Sequence, residues 1–548
     1  MQRKSSLRQL AFILTFVLIL AQAVNVFAIS GKEAALPNAE IKNIIVMIPD
    51  GTSIGGIGLA RWYKAYDAKT DTVDTNVSLA LDELASGLVR TYWTNGKSYG
   101  AITDSAPAAT AFACGVKTND KYVGVTYEST PVATILEAVK LIGKSTGIVA
   151  TSNVQHATPA GFTSHYNDRS KYDILGEQQA YNGIDVMMGG GSKYLVEPYR
   201  KDSENIIDVI KSKNYSYVTT KDQMNAVKKG KLWGMFADDA MAYDMDRKEI
   251  AKTEPSLAEM TAKAIELLSQ NDKGFFLMVE GSKDDWAAHA NDPIGLISDI
   301  LAFDDAVNTA LDFAKAKQNT MIIIMSDHGT GGISIGNTAT DSSYSKEPVS
   351  RFIAPLKKAT LTGEGIASKF DAERTNIADV MKTYFGIDDL TDEEIKEIKD
   401  TEAANMNYTV GPIISKRAAL GWTTTGHTGQ ETNLFTYLPK NDRITGTIEN
   451  TDVAGICAGV WELDLAALTS ALYNDAEAYF KSKGATVTVD VSVQSGGVMT
   501  VKKGNTTITI FENKNYVLLN NYMKVFNSVV VNQNGKFYVP QSVLDIIP

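Results

Sequence analysis

Three short, uninterrupted apolar runs each lead into a carboxylate with a glycine one or two residues on. Ile44 to Ile48 leads into Pro49-Asp50-Gly51, Phe275 to Val279 into Glu280-Gly281, and Met321 to Met325 into Ser326-Asp327-His328-Gly329. A run with no polar alternation has no face to offer water, so as a strand it must be covered on both sides. Gly147 to Thr151 is a fourth run of this kind. Amphipathic helical stretches lie between them, at Val132 to Ile142, Leu257 to Leu268 and Ile294 to Ala316. This alternation predicts an α/β fold, a three-layer sandwich around a central, mostly parallel sheet. In such sheets ligands bind beyond the carboxyl ends of the strands. Asp50, Glu280, Asp327 and His328 are therefore expected at one edge. An acid next to a glycine is common in turns; three at equivalent positions point to a site.

Two regions interrupt the pattern. From about 336 to 420 the sequence is polar, with helical segments such as Asp392 to Asp400, and reads as a helical and loop insertion over one face of the core. A long helix is expected over Leu463 to Lys483. Beyond Gly484, Val487, Val489, Val491 and Val493 alternate with polar residues, and glycine- and asparagine-rich turns follow. That pattern predicts a small C-terminal β appendage at 484–548. Residues 1–28 read as a signal peptide: Arg3, Lys4 and Arg8 precede an apolar stretch from Ala11 to Leu20, with Val26 and Ala28 at the positions read by a signal peptidase. The chain is thus expected to be exported, whether extracellular, on the cell surface or in the periplasm, with 29–483 as its catalytic domain.

The formal net charge of -11 argues against a nucleic-acid partner, because phosphate backbones demand a basic surface. The two cysteines, Cys114 and Cys457, read as buried free thiols.

Histidine is scarce, with five in the chain, and two of them keep acidic company. His328 follows Asp327 at a strand end. His289 lies one helical turn after Asp285, so one helix face carries both. His427 sits in the small-residue loop Thr423 to Gly429. Imidazole and carboxylate together suit zinc. An exposed Asp–His pair at that spacing would alone mean only a surface ion pair. His165 reads as a core histidine.

The nucleophile candidate is Ser105, in Thr103-Asp104-Ser105-Ala106-Pro107. Pro107 marks the first turn of a helix, whose free N–H groups and positive dipole end favour an anion. Taken singly, the same pattern describes an ordinary capping serine.

With these residues in place, Thr103 to Thr118 (TDSAPAATAFACGVKT) resembles the nucleophile segment of the alkaline phosphatases. Thr151 to Arg169, Val279 to His289, Ser326 to Gly329 and Trp422 to Gly429 resemble that family's metal and phosphate segments, in the family's order, and Glu449 to Ala454 resembles a further one. The resemblance implies a phosphoserine intermediate on Ser105. It implies that Asp285, His289 and His427 hold a first zinc, and that Asp50, Asp327 and His328 hold a second. A third site, magnesium in most relatives, would use Asp50, Thr158 and Glu280. Arg169 would grip two phosphate oxygens as a fork, which lysine could not do. Asp104 and His156 would orient their neighbours.

His156 and Trp286 depart from the enterobacterial pattern and match other members of the family. Histidine in place of an acid removes a hard oxygen and adds a nitrogen, so the third ion stays open among magnesium, zinc and cobalt. Small phosphate monoesters are the implied substrates, and a homodimer the implied assembly. Tyr516 to Ile547 weakly resembles the small β domain found on copper amine oxidases and on exported proteins, which would suit association with a cell wall. Two alternatives belong to other activities. A phosphodiesterase of the same superfamily would share the zinc ligands, whereas a sulfatase would need arginine where Ala109 stands. A non-catalytic protein binding phosphate or wall polymer would show a lost ligand, and none is lost.

Overall fold

The computed structural model describes residues 40–548, apart from 201 and 493–495. The expected signal peptide at 1–28, and Val493, lie outside the described residues.

The central sheet has ten strands: β1 (Asn43–Pro49), β2 (Ala85–Arg90), β3 (Ser145–Asn153), β4 (Val186–Gly190), β5 (Tyr215–Val218), β6 (Lys231–Met235), β7 (Phe275–Gly281), β8 (Thr320–Met325), β9 (Thr432–Tyr437) and β10 (Gly446–Glu449). Their spatial order is β10-β2-β9-β8-β1-β7-β3-β4-β6-β5. Every pairing is parallel except those of β9 with β8 and β2. The three runs that end in acids are the central neighbours β8, β1 and β7. Their register aligns Met47 with Val279 and with Ile324.

The uninterrupted apolar runs follow from burial on both faces. Ile44, Val46 and Ile48 join one core, with Phe112 and Phe162. Those two come from the helices α1 (Ser105–Cys114) and α2 (Ala157–Thr163). Ile45 and Met47 join the opposite core. There Met260, Phe303 and Val307 pack from α3 (Leu257–Leu268) and α4 (Pro293–Lys317). The three-layer α/β sandwich expected from the sequence is borne out. No helix among the described residues is long and apolar enough to cross a membrane. Cys114 and Cys457 are both buried and free.

The region at 336–420 forms helices with their own core, where Ile353, Met381, Phe385 and Ile414 pack against Ile294 and Ile297 of α4. Of its helices α5 (Asp392–Asp400) and α6 (Met406–Arg417), which pack against each other, α6 borders the site.

The helix expected over Leu463 to Lys483 is divided. Helices span Leu465–Leu472 and Ala476–Ser482. Between them Asn474 and Asp475 pair with Val539 and Tyr538 in a small antiparallel sheet. The Asp475 carboxylate also caps the second helix, accepting from Ala478 N–H at 3.0 Å. Local propensity yields here to pairing with a strand more than sixty residues away.

After Gly484 come a five-stranded antiparallel sheet running from Thr486 to Val525 and the rest of the small sheet. These β layers dock on the helix Tyr172–Asn182. Lys514 ion-pairs with Glu177 and Glu204, Gln178 donates to Asn513 Oδ1 at 3.0 Å, and Gln533 donates to the His165 carbonyl at 3.1 Å.

Candidate metal and phosphate site

The strand ends do what their sequence suggests. Asp50, Glu280 and Asp327 lie wholly buried at the carboxyl edge of β1, β7 and β8. Strand β7 reaches Gly281, so Glu280 belongs to the strand itself. Gly51 turns the chain with φ +64°, and a β-carbon there would stand 2.6 Å from Asp285 Oδ1 and 2.7 Å from Thr330 Oγ1. Only glycine combines that conformation with so close an approach.

Asp285 and His289 occupy one face of a short helix, Lys283–His289. The His289 Nδ1–H donates to the Thr425 carbonyl (2.6 Å), and the His427 Nδ1–H donates to the Thr103 carbonyl (2.7 Å). Each ring therefore keeps Nε2 as its free donor atom, and these two nitrogens lie 3.1 Å apart. Asp285 Oδ2 is 3.3 Å from His289 Nε2. His427 reaches the site because Gly329 and Thr330 pair with Thr428 and His427 in a two-residue ladder. His328 turns Nδ1 toward Thr330 Oγ1 (3.2 Å), whose hydroxyl donates to Asp285 Oδ1 (2.6 Å). Its Nε2 then faces Asp327 Oδ2 at 3.2 Å, Asp50 Oδ1 at 3.6 Å and the Ser105 hydroxyl at 3.1 Å. Thr330 is a supporting residue that sequence reasoning missed, although it stands two positions after His328.

Three groups of donor atoms result, each within 4.8 Å of one another: Asp285, His289 and His427; Asp50, Asp285 and His328; and Asp50, His156 and Glu280. The first matches the expected set. The second has Asp285 where Asp327 was expected, and Asp327 stands against the same imidazole. The third includes His156 and lies beside Thr158.

The residues fit divalent cations. Both oxygens of Asp50, Oδ2 of Asp327, Oε1 of Glu280, Oγ1 of Thr158 and Nδ1 of His156 are buried without a hydrogen-bond partner. Native interiors rarely leave so many polar atoms unpaired in one place unless an ion belongs there. Burial, then Asp327, Asp285 and Glu280, push the Asp50 carboxyl well up. Burial pushes Glu280 up to about 7, opposed by the neighbouring Ser282 and Thr158 hydroxyls. Burial opposes ionisation of Asp285 also, yet His289, His328 and His427 bring it below the ordinary carboxylate range. Carboxyl and imidazole donors together suit zinc, and the more oxygen-rich third group suits a harder ion less well than an all-oxygen set would.

Ser105 opens α1, where Asp104 caps the helix by accepting from Ala106 N–H at 3.2 Å. Arg169 is held from two sides: it ion-pairs with Asp104, and its Nη2–H donates to His156 Nε2 at 2.8 Å. Burial, with the Arg169 charge, lowers the His156 imidazole to about 3, so the ring is neutral near pH 7. The Trp286 indole stands edge-on to His156, with ring centres 5.8 Å apart. Ser105, Arg169, His156, Asp285, His289 and His427 line one cavity of about 350 Å³, together with Asp104, Trp286 and Tyr408. Nothing in the sequence around Tyr408 marks it for this place.

His165 stays apart from the site. It is wholly buried, with Nδ1 2.7 Å from the Gly124 carbonyl and Nε2 3.2 Å from Glu137 Oε1. A further acidic group, Glu177, Asp202 and Glu204, is ion-paired with Arg200 and Lys514.

A serine at an anion-favouring helix end, a guanidinium at the same cavity and a nest of cation donors fit a metal-assisted phosphoester hydrolase. A family model described as alkaline phosphatase matches residues 41–463. Alkaline phosphatase 4 of Bacillus subtilis is 38% identical over 428 residues, covering 76% of this chain and 88% of that one. The crystal structure of a cold-active alkaline phosphatase from a psychrophilic Shewanella matches with a TM-score of 0.67 at 28% identity, over 76% of this chain and 99% of that one. A mutant of the TAB5 alkaline phosphatase, with a histidine replaced by aspartate and with Mg bound in the M3 site, matches with a TM-score of 0.56 at 26% identity, over 78% of this chain and 99% of that one. The chain belongs to the alkaline phosphatase family. The resemblance carried by its motifs is thereby borne out, and the match ends before the C-terminal β layers.

Proposed function

We propose that this chain hydrolyses phosphate monoesters to an alcohol and inorganic phosphate through a phosphoserine on Ser105. The observation that carries this reading is the Ser105 hydroxyl 3.1 Å from His328 Nε2, which belongs to one of three donor groups linked through Asp50 and Asp285. Asp285, His289 and His427 would hold one zinc; Asp50, Asp327 and His328 a second; Asp50, Glu280 and Thr158 a third ion, with His156 beside them. Bound there, the cations supply Lewis acidity and cancel the repulsion between an anionic nucleophile and an anionic ester.

The chain's own groups do the rest. Arg169 clamps two phosphate oxygens, and Asp104 and His156 hold its fork in place. The N-terminus of α1 orients Ser105 and favours the negative charge that gathers there. Ser105 Oγ bonds to phosphorus as the ester P–O bond breaks and the alcohol leaves. Water then releases phosphate from the serine. Cations loaded among the carboxylates turn the site toward positive charge, so metal and phosphate binding support each other.

The test is chelation. Prolonged EDTA treatment is expected to abolish release of 4-nitrophenol from 4-nitrophenyl phosphate, and zinc with magnesium to restore it. Full activity in protein shown by elemental analysis to be metal-free would overturn the reading. Export belongs to the same proposal, and N-terminal sequencing of secreted protein should begin at Ile29. A homodimer and wall association through 484–548 would be read by light scattering and by sedimentation with purified walls.

A further inference from the structure

The insertion contributes one side chain to the catalytic cavity. Helix α6 buries Met406, Val410, Ile413 and Ile414, and leaves Tyr408, Pro412 and Lys416 outward at successive turns. Close packing decides where that outer face lies. A β-carbon at Gly411 would stand 2.7 Å from the Ala290 carbonyl and 2.8 Å from Asp292 Cα. One turn on, Ser415 donates to the Asn291 carbonyl at 3.0 Å and accepts from Trp422 Nε1 at 2.9 Å. Residues 290–292 directly follow His289, so α6 is tied to the end of the helix that carries two of the zinc donors.

Tyr408 thereby reaches the mouth of the site. Its ring lines the 350 Å³ cavity shared by Ser105, Arg169 and Trp286. It also lines a groove of about 690 Å³ between α5 and α6, with Glu393, Thr401 and Pro412. Tyr408 is 52% exposed. An aromatic ring at the junction of two cavities, on a helix anchored to the metal site, has a face to offer whatever extends outward from the phosphate.

We infer that Tyr408 is a specificity-determining residue for the alcohol half of the ester, forming with Trp286 the walls of a leaving-group subsite that prefers flat, unsaturated alcohols to small aliphatic ones. This rests on the phosphomonoesterase reading above. Arg169 and the cations grip the phosphoryl group, which is common to all such esters. Discrimination must come from side chains that touch the rest of the molecule. Ring stacking gives a flat alcohol a modest advantage, roughly threefold to tenfold in affinity.

The experiment uses the metal-replete full chain and its Tyr408→Ala and Tyr408→Phe variants. The readouts are kcat and KM for 4-nitrophenyl phosphate and for glycerol 2-phosphate, with Ki for inorganic phosphate. Tyr408→Ala is expected to raise KM for the aryl ester roughly threefold to tenfold, with KM for the glycerol ester and Ki unchanged. Tyr408→Phe keeps the wild-type preference. An equal change for both esters, no change for either, or a rise in Ki alongside KM would overturn the assignment. If the wild-type enzyme hydrolyses neither ester, the phosphomonoesterase reading falls and takes this one with it.

Discussion

The Ser105 hydroxyl lies 3.1 Å from His328 Nε2, and that nitrogen is the free one because Nδ1 is turned to Thr330. The proposed nucleophile and a proposed zinc donor thus address the same point in space. Ser105→Ala removes the nucleophile and leaves every imidazole and carboxylate donor in place. Turnover is expected to fall by on the order of 10³ or more, while zinc content and inorganic phosphate binding persist. Wild-type kcat in this variant, measured with metal content verified, would exclude Ser105 as the attacking group.

Arg169 is fixed by Asp104 on one side and His156 on the other. On its proposed role, Arg169→Ala removes two charge-assisted hydrogen bonds to phosphate. KM for a monoester and Ki for inorganic phosphate should both rise, by about tenfold to a hundredfold. Arg169→Lys restores charge without the fork and should recover only part of the loss. Unchanged inhibition by phosphate in Arg169→Ala would show that the clamp lies elsewhere.

His156 sits in the third donor group with Asp50 and Glu280. His156→Asp replaces a nitrogen by a hard oxygen and makes the set wholly oxygen-based, the preference of magnesium. The variant is expected to retain more magnesium after dialysis, by elemental analysis, and to be activated more steeply by added magnesium. If magnesium content and activation match those of the wild type, His156 does not border the third ion.

Glu137 gives a pH prediction away from the metals. Burial would raise its carboxyl, but the His165 ring, the Tyr473 hydroxyl and the Thr134 N–H bring it down to about 2. A group depressed in the folded state stabilises above its unfolded value and loses that contribution as the pH falls through the folded one. Glu137 should therefore contribute roughly 3 kcal/mol at neutral pH, lost between about pH 5 and pH 2. Glu137→Gln is expected to lower Tm at pH 7 and to flatten the fall of Tm with acid. An equally steep acid dependence in the variant would assign it to other carboxylates.

Much of the site was legible because its donors sit next to strong local signals. Asp50, Glu280 and Asp327 follow apolar runs that admit only a doubly covered strand. Asp285 and His289 share a helix face by spacing alone. Thr330 and the carbonyls of Thr103 and Thr425 carried no such mark, since their roles depend on which ring nitrogen faces them. The same holds for the division of Leu463 to Lys483, where helical propensity is continuous and a strand from Lys536–Val539 breaks it. The C-terminal β layers were expected from their alternation, but their grip on Glu177 and His165 through Lys514 and Gln533 joins segments hundreds of residues apart.

By itself the chain of residues determined which strands are central, where their acids fall and which helix begins at Ser105. These are consequences of burial on two faces and of helix-end chemistry, both set by near neighbours. Tertiary structure alone decided that three donor groups meet, that Arg169 stands between Asp104 and His156, and that Tyr408 overlooks the cavity. The meeting depends on parallel register between distant strands, and the placement of Tyr408 on the fit of Gly411 against residues 290–292. Contacts of that kind are matters of shape across long sequence separations, which periodicity and propensity do not encode.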